Sequence, residues 1–167
     1  MHTFLSPETA SVYAVQSPIR SLSLATVKPT RGCETVLVVE DEYSVRSLVL
    51  HTLSRQGYVV ISAANGIEAL QHVDRLHEAE RIHLVVSDVV MPGMGGVELA
   101  RELTVRGQTA PVIFMSGYTH DAIPLAEILG DGSTFLPKPF TIEQLGTIVR
   151  QTLDSRSGAR HPIVTDS

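Results

Sequence analysis

The chain has 167 residues, a formal net charge of −5, 43% hydrophobic and 19% charged residues, and one cysteine. That length suits one packed core with polar ends. The acidic balance argues against a surface built to neutralise nucleic-acid phosphates, and lone Cys33 cannot form an internal disulfide, so the cytoplasm is the expected compartment. Its apolar runs are strand-sized, far below the roughly 18 to 20 residues of a membrane span, and Glu8, Gln16 and Arg20 interrupt any signal-peptide core.

Residues 1–33 are rich in Ser, Thr and Pro without a sustained period, which predicts a flexible leader. The folded body is expected over 34–154, with a frayed tail over 155–167 that carries Gly158 and Pro162. Within the body, Thr35 to Val39 is a β-branched run ending in acids, which suits a strand buried on both faces. Helical spacing of Val45, Leu48, Val49 and Leu53 predicts a helix over Tyr43 to Gln56, closed by Gly57. Tyr58 to Ala63 is a second strand. Asn65 with Glu68 then forms a capping box for a helix carrying Ala69, Leu70, Val73 and Leu76.

His83 to Ser87 is the third strand, and a helix over about Val97 to Arg106 follows a Pro/Gly-rich loop and stops at Gly107. Pro111 to Met115 is the fourth strand. Pro124 opens a short helix ending at Leu129, before Gly130. Ser133 to Leu136 is the fifth strand, and Thr141 with Gln144 caps a last helix that turns Leu145, Ile148, Val149 and Leu153 to the sheet. Strands alternating with helices predict a doubly wound α/β fold, a parallel sheet covered on both faces by helices. In such sheets ligands sit beyond the carboxyl ends of the strands.

That rim gathers the chemistry. The first strand ends in Glu40-Asp41-Glu42, the third in Asp88 and the fourth in Ser116, and the fifth runs into Lys138. Converging carboxylates repel unless a cation is bound, and hard oxygen donors suit Mg²⁺. A metal would offset charge on an incoming phosphoryl group while the Asp88 carboxylate attacks phosphorus; Lys138 and the Ser116 hydroxyl would meet the phosphoryl oxygens. Taken singly, the acidic run is usually a solvated turn, Asp88 a loop cap and Lys138 a surface lysine. Their shared position at the ends of ordered strands favours a site. The histidines lack tight ligand spacing and are expected at the surface; Met91, Met94 and Met115 are expected to pack, and the glycines of residues 93–96 do not match a nucleotide-binding fingerprint.

Four segments carry a resemblance: Val36 to Glu42 (VLVVEDE), Ser87 to Gly96 (SDVVMPGMGG), Phe114 to Tyr118 (FMSGY) and Phe135 to Phe140 (FLPKPF). Together they resemble the signatures of response-regulator receiver domains of the chemotaxis-regulator type, and in wording the receivers of hybrid histidine kinases. The resemblance implies a flavodoxin-like five-stranded sheet of order 2-1-3-4-5. It further implies that Glu40 and Asp41 are the acidic metal pair, with Asp88 and the backbone carbonyl of Val90 completing the Mg²⁺ ligands. Asp88 would be the phosphoacceptor, Ser116 the switch hydroxyl, Phe135 the switch aromatic and Lys138 the conserved-type lysine, with a cis bond to Pro139.

The implied function is two-component phosphorelay signalling: a histidine kinase or histidine phosphotransfer protein donates a phosphoryl group to Asp88. The chain is expected to be a phosphoacceptor module rather than a turnover enzyme. Output is expected through a downstream protein target, or a homodimer, on the face made by the fourth helix, fifth strand and fifth helix; Arg156 and Arg160 without a helix-turn-helix pattern speak against DNA. Two features depart from the family pattern. Glu40 stands where Asp is commoner, and Val90 brings no polar group to orient a hydrolytic water, which with Tyr118 predicts slow self-dephosphorylation. A rival class, an aspartyl-nucleophile phosphatase, would place its nucleophile after the first strand and need a cap segment.

Overall fold

The computed structural model describes residues 33–77, 81–117 and 134–157. Five strands are present: β1 Thr35–Val39, β2 Val59–Ala63, β3 Leu84–Asp88, β4 Val112–Ser116 and β5 Thr134–Pro137. The helices among the described residues are α1 Tyr43–Arg55, α2 Gly66–Asp74, α3 Gly96–Val105 and α4 Ile142–Ser157. Every strand pair is parallel and the order is β2-β1-β3-β4-β5, as expected. The short helix expected over Pro124 to Leu129 lies outside the described residues.

Alternation along the central strands explains the two-sided cover. Val36 and Val38 of β1, with Leu84 and Val86 of β3, pack on one face against Val49 and Leu53 of α1 and Leu145 and Val149 of α4. Leu37 and Val39, with Val85, pack on the other face against Ala69, Leu70 and Val73 of α2 and Leu99 and Leu103 of α3. Period-two geometry sends neighbours to opposite faces, so an unbroken apolar run is what a strand buried on both sides requires. Burial of each such side chain is worth about 1.5 to 3 kcal/mol.

Local signals set the helix ends. At the end of α1 the Gly57 N–H bonds Ser54 O at 3.0 Å and the Tyr58 N–H bonds Leu53 O at 3.2 Å. That closure puts Gly57 at φ +99°, a conformation glycine adopts without a Cβ penalty. Asn65 Oδ1 accepts the Glu68 N–H at 2.9 Å, while Glu68 Oε2 reaches one residue further back than a standard box, to the Ala64 N–H at 2.8 Å. For α4 the box is complete: the Gln144 N–H bonds Thr141 Oγ1 at 3.2 Å and the Thr141 N–H bonds Gln144 Oε1 at 2.8 Å.

Three strands are each displaced by one residue from the sequence expectation: β3 to Leu84–Asp88, β4 to Val112–Ser116 and β5 to Thr134–Pro137. Parallel pairing extends these strands to the rim, where Asp88 stands opposite Met115 and Ser116 opposite Pro137. At the other end of the chain α4 continues past Asp154 to Ser157, because Arg150 pairs with Asp154 at 2.8 Å and Ser155 Oγ bonds Gln151 O at 2.8 Å.

Candidate functional site

The carboxyl ends of β1, β3, β4 and β5 meet at one rim. Ladder hydrogen bonds carry the pairing beyond the strands: the Glu40 N–H bonds Ala63 O at 3.1 Å, and the Lys138 N–H bonds Ser116 O at 2.7 Å. The Glu40 residue is 0% exposed, Asp88 is half-buried and Asp41 is open to solvent. Carboxylate oxygens of these three lie within 4.8 Å of one another.

Lys138 stands between two of them. Its Nζ donates to Glu40 Oε2 at 2.7 Å and to Asp88 Oδ2 at 2.6 Å. The other Asp88 oxygen, Oδ1, accepts the Val90 N–H at 3.3 Å, and Glu40 Oε1 accepts the Glu42 N–H at 3.3 Å. Burial pushes the Glu40 carboxyl above the usual carboxylate range, and the Asp88 charge adds to this push while Lys138 opposes it. Burial also works against the Lys138 ammonium, but its hydrogen bonds and charge contacts with Asp88 and Glu40 outweigh this and hold it above the usual lysine value.

Backbone packing positions Asp88. Ser87 Oγ donates to Asp88 O at 2.9 Å, and the Gly96 N–H bonds Val89 O at 3.0 Å, folding the start of α3 against the end of β3. A Cβ at Gly96 would stand 2.2 Å from Asp88 O and 2.8 Å from Ser87 Oγ, so this approach admits only glycine without a backbone shift. Ser116, 6% exposed, ends β4 beside this group. Half-buried Phe135 stacks on Phe114 across the β4–β5 pair, with ring centroids 5.7 Å apart. Tyr118 lies outside the described residues.

The family model described as response regulator receiver domain matches residues 36–150. The chain belongs to this family. As a receiver domain it is 42% identical over 125 residues to sensor kinase CckA of Brucella abortus, covering 75% of this chain but 13% of that protein. It is 34% identical to sporulation initiation phosphotransferase F of Bacillus subtilis, covering 74% of this chain and 97% of the relative. Among solved structures, chemotaxis response regulator CheY4 of Vibrio cholerae matches at 31% identity with a TM-score of 0.64, covering 73% of this chain and 100% of that chain. Response regulator TrrA of Thermotoga maritima, in complex with Mg²⁺-BeF, matches at 31% identity with a TM-score of 0.61, covering 72% and 99% of the two chains. The chain is therefore a receiver domain of two-component signalling. Its 40% identity to a solved structure described as the receiver domain from hybrid histidine kinase CckA, with a TM-score of 0.59 and coverage of 71% and 98% of the two chains, accords with the hybrid-kinase wording of its motifs.

This receiver brings Glu40, Asp41, Asp88 and Lys138 together, sets Ser116 at the adjacent strand end, and leaves the Val90 side chain exposed. Arg46 was not singled out from sequence. Its Nη1 donates to Glu40 O at 2.5 Å and to Asp41 O at 3.1 Å, and its guanidinium lies 5.6 Å from the Tyr43 ring centroid. It holds the loop that presents both acids, and its only sequence signal was a basic residue in the first turns of α1. No helix among the described residues is long and apolar enough to cross a membrane.

Proposed function

We propose that Asp88 is the phosphoacceptor and that a phosphohistidine of a histidine kinase or histidine phosphotransfer protein is the donor. The observation that carries this reading is the Lys138 ammonium 2.6 Å from Asp88, within a group of three carboxylates at the strand ends. In the reaction an Asp88 carboxylate oxygen attacks phosphorus, the P–N bond breaks, the imidazole leaves with the bond electrons and takes up a proton, and an acyl phosphate forms. Lys138 turns from the carboxylates to the phosphoryl oxygens, and Ser116 donates its hydroxyl to another of them.

The donor set fits a Mg²⁺ ion: Glu40, Asp41 and Asp88 supply three hard oxygen donors within 4.8 Å, and Lys138 alone leaves two of three formal negative charges unbalanced. Glu40, Asp41, Asp88 and the Val90 carbonyl would hold the ion, which when bound neutralises phosphoryl charge. The relative TrrA, described in complex with Mg²⁺-BeF, supports a Mg²⁺ ion as the cofactor. Phosphorylation adds about 1.5 to 2 negative charges at Asp88, enough to draw Ser116 and Lys138 inward and to bias Phe135, whose stacking on Phe114 couples the rim to β5. The output is binding to a downstream protein or to a second copy of the chain, in the cytoplasm.

Intact mass of the full chain after incubation with Mg²⁺ and acetyl phosphate tests this. Wild type is expected to gain one base-labile phosphoryl group and Asp88→Asn none; labelling retained in the variant would remove Asp88 from the role. The same sample followed in time tests the exposed, apolar Val90. With no polar group there to orient water, the phosphoryl group is expected to persist for minutes or longer, and a half-life of seconds would refute that expectation.

A further inference from the structure

At the opposite pole from the acidic rim, where β1, β3 and β4 begin, the structure has an open recess of about 440 Å³, within the range of small-molecule sites. One wall is apolar, built from Ile82, Pro111 and Leu153; Arg81, His83 and Arg156 line the remainder, with Glu34 at one side. None of these residues belongs to the proposed phosphoacceptor site.

A donor and acceptor inventory gives the recess its chemistry. Its one carboxylate is already engaged: Glu34 Oε1 accepts from Arg150 Nη2 at 2.9 Å, and Oε2 accepts from the Cys33 N–H at 2.9 Å. His83 Nδ1 accepts the Thr35 N–H at 3.0 Å, which assigns the ring proton to Nε2 and makes that nitrogen a donor. Arg156 uses Nη1 on Thr109 O at 2.5 Å and keeps its other N–H groups, and Arg81 makes no hydrogen bond or ion pair among the described residues. Among the charged and imidazole side chains the groups left over are therefore donors, two of them on permanently charged guanidinium groups. Of the other polar lining residues, Ser155 Oγ already donates to Gln151 O and Thr152 O, and Thr109 O already accepts from Arg156.

We propose that this recess is a second ligand site, one that binds a small phosphate monoester with an apolar body. Three donor-bearing side chains match the three terminal oxygens of such a phosphate better than the two oxygens of a carboxylate, and the fork of each arginine suits bidentate contact. The apolar body would lie against Ile82, Pro111 and Leu153.

The test is a ¹⁵N NMR titration of the full chain with phenyl phosphate, without Mg²⁺ and at physiological salt, with inorganic phosphate and benzoate as comparisons. Saturable shifts are expected at the Ile82, His83 and Ala110 amides. Affinity is expected to fall about tenfold or more in Arg81→Gln with Arg156→Gln, the loss of charged hydrogen bonds. Arg81 is exposed, so Arg81→Gln alone gives a variant with an intact fold and a smaller loss. Weaker binding of inorganic phosphate and of benzoate supports the apolar wall and the phosphate preference. The proposal is overturned by non-saturating shifts, by shifts confined to Glu40, Asp88 and Lys138, by unchanged affinity in the arginine variants, or by benzoate binding as tightly as phenyl phosphate. Failure of this titration leaves the mass measurement on Asp88 untouched.

Discussion

Asp88 owes its position to a residue with no side chain. Gly96 lets the α3 N-terminus close against the Asp88 carbonyl, where a methyl group would come within 2.2 Å of backbone oxygen. Gly96→Ala is expected to lower stability by about 1 to 3 kcal/mol, the range for overpacking, and to slow Asp88 labelling. Urea denaturation and the acetyl phosphate time course check both. Stability within a few tenths of a kcal/mol of wild type would mean that the loop yields freely. The same scale explains the contrast between Glu40 and Asp41. Adjacent residues take different environments because the strand pleat turns Glu40 inward under Lys138, whereas Asp41 opens to solvent at the start of the loop.

Among the elements, α4 shows how far local chemistry carries. Its Thr141–Gln144 box was legible as a four-residue pattern, and the structure forms both of its hydrogen bonds. Thr141→Ala is expected to cost about 1 kcal/mol, with Thr141→Ser close to wild type, both read from denaturant midpoints. A cost shared equally by the serine variant would point to a role other than the cap. Strand ends were less legible, since β3, β4 and β5 each reach one residue closer to the rim than their apolar runs suggested. Pairing sets those ends, and Asp88, Ser116 and Pro137 remain in register because the neighbouring strand is there to bond them.

Across the whole molecule, one ion-pair group ties the first strand to the last helix. Arg150 of α4 bonds Glu34, just before β1, at 2.9 Å, Asp154 at 2.8 Å and Tyr58 Oη at 3.4 Å. Burial pushes the Glu34 carboxyl up, but hydrogen bonds and charge from Arg150, with backbone hydrogen bonds, outweigh it and hold Glu34 below the usual carboxylate range. A depressed carboxylate contributes stability that is fully present above its unfolded value near 4.5 and is lost as pH falls through the lower folded value. Arg150→Met is therefore expected to lower stability by about 1 kcal/mol at neutral pH, after discounting for the solvent that reaches the pair. It should also flatten the acid limb of stability against pH. An acid limb identical to that of wild type would exclude Glu34 as a contributor.

The βα rhythm was legible along the chain, because apolar period and caps act within a few residues. So were the family and the residue types of the rim, because Glu40, Asp41, Asp88, Ser116 and Lys138 each stand at the end of a recognisable run. Which of these groups touch follows from the three-dimensional fold. Lys138 reaches Glu40 and Asp88 across 98 and 50 residues of chain, Arg46 clamps the carbonyls of Glu40 and Asp41, and Gly96 meets Asp88 O. Those contacts arise where strands far apart in sequence are brought side by side, and neither propensity nor spacing encodes a distance of that kind. The recess at the opposite pole has the same origin. Arg81, His83 and Arg156 are unremarkable along the chain and share a wall only because β3 begins beside the end of α4.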